Sequence, residues 1–238
     1  MILAPPPAGE PPCSPVRDCI DFDVTLVGNA VDFLPHLVGA IIASGEAGLG
    51  PERIVACLER VTARAPGGRS EPVFTLPRGF RGDVCPTLGL DDLPPLDLAG
   101  GLNLTFQTPL RLSAKRRPPR DISFAELARA IMRRGSALGR YCCGVTVAAD
   151  YPALTMAARG VATVAADLRP IHLSRWSSRQ QQRLPLDGLI GTISFAGEAL
   201  AAFEPWIRLG QHVHVGKGTV MGLGRYAAMP LSSRGSDQ

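Results

Sequence analysis

The 238-residue chain lacks most of the features that would fix a function early. Its six cysteines (Cys13, Cys19, Cys57, Cys85, Cys142, Cys143) are scattered and include no C-x-x-C pair, which argues against a zinc site. No run of 18 apolar residues occurs, so no segment reads as a membrane-spanning helix. Residues 1–10 are proline-rich, without the basic and apolar regions of a signal peptide, and the expected setting is a reducing cytoplasm with free thiols. Neither a G-x-G-x-x-G fingerprint nor a Walker-type G-K-[ST] is present, and no repeated parallel βαβ pattern supports a dinucleotide enzyme. Aromatic residues make up only 5% of the chain, so stacking platforms are few.

What is present is ordinary in bulk and uneven in distribution. A hydrophobic content of 45% and a charged content of 19% suit a globular protein with a proper core. Residues 1–100 carry 7 arginines against 13 acidic residues, a net of −6. Residues 101–238 carry 18 basic residues against 8 acidic ones, a net of +10. Such an asymmetry points to a polyanion for the second half, although arginines that merely solvate one face would give the same count.

The stretch 211–226 (Q-H-V-H-V-G-K-G-T-V-M-G-L-G-R-Y) stands out. Gly216, Gly218, Gly222 and Gly224 fall within nine residues, with Lys217 between the first two and Arg225 after the last. Glycines allow positive φ and close approach, so such a loop can turn N–H groups toward a phosphate. A glycine-rich hairpin without a ligand is the alternative.

Along the first half, residues 21–27 alternate as a half-buried strand, and Gly28 breaks it. Asn29 is the expected N-cap of a helix with Val31, Leu34, Leu37, Val38, Ile41 and Ile42 on one stripe, Pro35 near its start and His36 beside the stripe. Residues 54–61 read as a strand. Residues 1–64 are expected to form a partial N-terminal domain, and 65–100, rich in proline and glycine, a connector with one short strand near 73–76.

In the second half, residues 102–112 give the clearest strand, with Leu102, Leu104, Phe106, Leu110 and Leu112 on one face and Pro109 marking an edge or an end. Lys115, Arg116 and Arg117 form a basic turn. Ser123 and Glu126 make a capping box opening a helix. A second helix is expected over 151–168. Strands over 171–177 and 189–195 flank a polar connection that holds Arg179 and Arg183, with Arg175 on the first strand. A short helix at 199–209 leads to a strand with Val213 and Val215 inward and His212 and His214 on the opposite face, followed by the glycine loop. The order is βαββαβ, the ferredoxin-like motif, in an α+β fold.

Four blocks then resemble one family: L-T-F-Q-T-P-L-R-L (104–112), R-W-S-S-R-Q (175–180), L-D-G-L-I-G-T-I (186–193) and H-V-G-K-G-T-V-M-G-L-G-R-Y (214–226). They resemble the C-terminal domain of the CRISPR-associated endoribonucleases that cut precursor CRISPR RNA, in the RAMP superfamily. A weaker block at 21–35, followed by Gly48–Gly50, resembles the family's N-terminal domain. The resemblance implies two ferredoxin-like (RRM-like) domains, with the first strand and helix of the N-terminal one missing from this chain along with the usual catalytic histidine. It implies metal-independent cleavage in which the ribose 2′-OH attacks the scissile phosphate, leaving a 2′,3′-cyclic phosphate and a 5′-OH.

On that resemblance, His214 and His212 are the candidates for acid–base catalysis, with His172 and His36 behind them. Lys217, Arg225, Gly216, Gly218, Gly222, Gly224, Arg175, Arg179, Arg183, Lys115, Arg116 and Arg117 are the RNA-binding candidates, and Trp176 is expected to pack in the core rather than stack on a base. No metal and no cofactor are expected. The expected partner is CRISPR repeat RNA or crRNA, recognised by shape and phosphate, with other effector subunits or a homodimer as further partners. A non-catalytic RAMP-type RNA-binding subunit of an effector complex is the alternative function.

Overall fold

The computed structural model describes residues 1–4, 13–14, 17–50, 52–81, 85–112, 122–177 and 179–231. The predicted basic turn at Lys115, Arg116 and Arg117 lies outside them. The chain divides into two compact units, residues 1–26 with 95–238, and residues 27–94.

In the first unit, β1 (Ile2–Ala4) pairs antiparallel with β4 (Asp23–Thr25), and the short β2 (Cys13–Ser14) pairs with β3 (Arg17–Ile20). The second unit opens with a 3₁₀ turn, Gly28–Phe33, and continues as α1 (Leu34–Glu46) with Pro35 in its first turn. Asn29 is therefore inside the 3₁₀ turn and caps nothing, because the helix starts one turn later than its apolar stripe suggests. The strand expected at 54–61 is displaced to β5 (Arg60–Arg64), which forms an antiparallel meander with β6 (Ser70–Thr75) and β7 (Gly79–Phe80).

The large core lies in the first unit, built on β8 (Leu102–Leu110). Leu102, Leu104, Phe106 and Leu110 are buried, as the alternation predicts, and Pro109 sits at the strand's end. Ser123 Oγ accepts from the Glu126 N–H, and the Glu126 carboxylate accepts from the Ser123 N–H, so the capping box opens α2 (Phe124–Cys142). Phe124 packs edge-on against Phe195 and Phe203, at ring separations of 5.2 and 5.0 Å.

The helix expected over 151–168 is cut short. α3 (Tyr151–Ala157), capped by Asp150, gives way past Gly160 to β9 (Ala162–Ile171), whose residues are mostly exposed. Alanine-rich residues with little burial carry no clear period, and pairing along a neighbouring strand decides their conformation. Next come β10 (Ser174–Ser177), β11 (Gln182–Pro185), β12 (Gly188–Ala196), a 3₁₀ turn and α4 (Glu204–Val213), with Pro205 in the first turn of α4. The final strand, β13 (Tyr226–Pro230), follows the glycine segment rather than preceding it. Residues 211–213 are helical and His214 turns the chain, so no strand runs through Val213–Val215.

The four-stranded antiparallel sheet runs β13–β8–β12–β9, and α2 packs on α4. Strands one to four of the βαββαβ unit thus stand in the order 4-1-3-2, which is ferredoxin-like. Among the described residues no helix is long and apolar enough to cross a membrane. Replacing Ser123 by Ala removes the α2 cap and should lower unfolding free energy by about 1 kcal/mol in urea titrations, with an unchanged m-value.

Candidate nucleic-acid interface

The glycine segment is a tightly tied connector from α4 to β13. Arg134 Nε donates to the Val213 carbonyl at 2.6 Å, closing the end of α4. His214 then adopts φ +59° and reverses the chain. At Gly216 (φ +91°) a Cβ would run into the Arg111 carbonyl, and at Gly224 (φ +72°) one would run into the Val215 carbonyl. Only glycine meets both conditions. The Lys217 N–H donates to Arg111 O at 2.7 Å, the Gly224 N–H to Pro109 O at 3.0 Å and the Val215 N–H to Gly224 O at 3.0 Å. Thr108 Oγ1 donates to Gly222 O and accepts from the Arg225 N–H. A 3₁₀ turn, Thr219–Met221, lies between Gly218 and Gly222 and rests against β1.

These bonds change what the loop can do. The amides of Val215, Lys217, Gly224 and Arg225, and those of Met221, Gly222 and Leu223 within the turn, are spent on the protein itself and do not face an anion. The glycines serve close backbone packing at the end of β8. Of the loop's cations, Lys217 is exposed, while Arg225 is only 20% exposed and pairs through Nη2 with Asp23 at 3.0 Å.

His214 is 2% exposed. Burial lowers its pKa most, the Arg225 charge next and Arg134 least, while backbone hydrogen bonding at Leu223 and Gly222 opposes them; the outcome is about 4. The ring is therefore neutral and enclosed at pH 7, a support for the loop. His212 lies in the last turn of α4, half-buried, rather than on a strand beside the loop. The unfolded chain takes up a proton at His214 near pH 6.5, whereas the folded chain refuses it until about pH 4. Stability present above pH 6.5 is thus lost as pH falls from 6.5 to 4, by about 3 kcal/mol from this residue. Urea titrations across that range should show the loss in the wild type, and His214→Gln should have a flatter dependence.

The second cationic feature is a β-ribbon. β9 pairs with β12 through Ile171↔Gly188, and β10 pairs with β11 from Ser174↔Pro185 to Ser177↔Gln182. The Leu186 N–H donates to Leu173 O at 2.7 Å across the joint, and the register is the same on both sides. The four strands therefore form one long hairpin whose outer half projects beyond the sheet. Arg183 stands opposite Trp176, and Arg175 stands opposite Leu184 on the other face; Arg179 lies in the turn. All three arginines are exposed. Trp176 is 57% exposed, so the expectation of core packing is overturned: the ribbon projects past the core that would have covered it.

Arg111, absent from the predicted site, joins loop to ribbon. Its carbonyl accepts from Lys217, and its guanidinium Nη1 donates to Pro185 O at 3.1 Å. Its signals in the sequence are its place in the block 104–112 and on the polar face of the alternation that forms β8.

The family model described as CRISPR-associated endoribonuclease Cas6 matches residues 104–226, and a second, described as an N-terminal domain (AF_1859_N), matches residues 1–80. No curated protein matches. Among solved structures, a Cas6 (TTHB231) product complex is 17% identical with a TM-score of 0.55, covering 97% of this chain and 80% of that one, which shows a shared fold. Thermus thermophilus Cas6 (TTHB231) is 18% identical with a TM-score of 0.43 over 60% of this chain, which spans 56% of its length. A Cas6 (TTHA0078) product complex is 16% identical with a TM-score of 0.44, covering 84% of this chain and 73% of that one. With the family model spanning more than half of its residues and carrying both the ribbon and the glycine connector, the chain belongs to the CRISPR-associated endoribonuclease Cas6 family.

Proposed function

We propose that this chain binds CRISPR repeat RNA and processes precursor crRNA by 2′-OH attack on the scissile phosphate, without a metal ion, leaving a 2′,3′-cyclic phosphate. The observation that carries the reading is the link through Arg111, which holds the exposed Lys217 and the arginine-bearing ribbon on one framework. Phosphates spaced along an RNA backbone suit cations displayed that way, and such contacts supply affinity and register rather than sequence choice. The protein's task in this chemistry is alignment of the 2′-oxygen and stabilisation of the charge gathering on the phosphorane, for which Lys217 and Arg183 are the proposed donors. Arg175 and Arg179 extend the backbone contact, and Trp176 offers a face for one unpaired base. His214 holds the loop rather than transferring protons.

A second reading, an RNA-binding subunit that does not cut, is favoured by that same enclosed histidine. Incubating the chain with a panel of labelled CRISPR repeat RNAs in EDTA separates the two. A discrete product ending in a cyclic phosphate supports cleavage, whereas a gel shift without product supports the second reading. In the same assay, Lys217→Ala and Arg183→Ala should each weaken binding and reduce the slope of log K against log salt by about 0.7–0.9. Unchanged affinity and slope in both variants would contradict the phosphate assignment.

A further inference from the structure

The joint at which the ribbon leaves the sheet carries a histidine–carboxylate pair. His172 directly follows the last residue of β9 and Asp187 directly precedes the first residue of β12, so the two stand opposite one another in the register set by Ile171↔Gly188. His172 Nδ1 lies 3.5 Å from Asp187 Oδ1. The histidine side chain is 81% exposed, so Nε2, on the far side of the ring from the carboxylate, opens to solvent. Alternate residues on a strand share a face, as do residues directly opposite. His172, Ser174 and Trp176 on one strand, and Asp187, Pro185 and Arg183 on the other, therefore form a single face of the ribbon. An open cleft beside the pair is lined by His172, Leu173, Ser174, Arg183, Pro185 and Asp187. Pro185 is the residue that Arg111 holds, so the cleft is tied to the framework that carries Lys217.

Building on the RNA-processing reading, we propose that His172 is the general acid–base residue of this chain, with Asp187 as its positioning partner and Arg183 as the phosphate contact of the same cleft. The neutral imidazole takes the 2′-OH proton on Nε2 while the O2′–P bond forms. The P–O5′ bond breaks, and the departing 5′-oxygen takes a proton from water. The imidazolium, steadied by the Asp187 carboxylate at Nδ1, then returns its proton to the resulting hydroxide. The balance is a transesterification that consumes no water and needs no further reactant. The arrangement has the required order of parts: an accessible nitrogen, a group that orients the ring, and a cation for the developing charge. His214 lacks the first of these.

The test compares wild type with His172→Ala, His172→Gln, Asp187→Asn and Asp187→Glu on the same panel of repeat RNAs. His172 is exposed, so its variants should keep the wild-type far-UV circular dichroism. Single-turnover cleavage should fall about 100-fold or more in both His172 variants while gel-shift affinity stays within twofold, and added imidazole should restore part of the rate to His172→Ala. Asp187→Asn should lower kcat with KM unchanged, and Asp187→Glu should recover part of the loss. Wild-type cleavage in either His172 variant overturns the proposal, as does a loss that affinity alone accounts for. A wild-type chain that binds repeat RNA but yields no product overturns the role of His172 and leaves the RNA-binding reading standing. Failure to bind any repeat RNA overturns both.

Discussion

Arg111 makes two hydrogen bonds that hold the cationic surface together. Its carbonyl receives the Lys217 amide and its guanidinium reaches the Pro185 carbonyl, so the residue just past the end of β8 pins both the glycine connector and the root of the ribbon. Each bond contributes only about 1 kcal/mol net. Their value is geometric, because a connector and a hairpin that moved independently could not present charges at a fixed spacing. The glycines serve the same end: Gly216 and Gly224 let the connector's backbone lie against the carbonyls of Arg111 and Val215.

Electrostatics then divides labour within the connector. Arg225 and Arg134 both lower the proton affinity of His214, whose ring is already enclosed. A neutral imidazole adds no charge to a region that must already accommodate those of the two arginines. Arg225 is offset by Asp23, while Lys217 stands in solvent. The exposed positive charge is thus displayed at the tip of the loop and along the ribbon, while the amides of Val215, Lys217 and Met221 to Arg225 are bonded within the protein.

Features governed by strong local signals were legible in the sequence. The alternation of Leu102 to Leu110 and the Ser123–Glu126 capping box appear as expected, because burial and capping act on the same residues that display the pattern. The ferredoxin-like order was legible for the same reason, although two of its elements were misplaced. Residues 162–168 lack a buried face, so nothing in their pattern distinguishes an exposed strand from a helix, and pairing with β12 decides. In Q-H-V-H-V, the alternation imitates a strand, yet Val213 ends a helix and His214 takes a left-handed conformation that no period encodes. For the site, the cationic residues of the ribbon were visible as charges. The pairing of His172 with Asp187 was not, since only the hairpin register places residues fifteen positions apart in opposition.

The central claim is that the ribbon and the glycine connector together form the RNA-facing surface. Hydrogen–deuterium exchange with and without bound repeat RNA tests it most directly. The account predicts slowed exchange in residues 174–187 and 216–221 together. Bound RNA that leaves both segments unprotected, or that protects residues 27–94 alone, would contradict it.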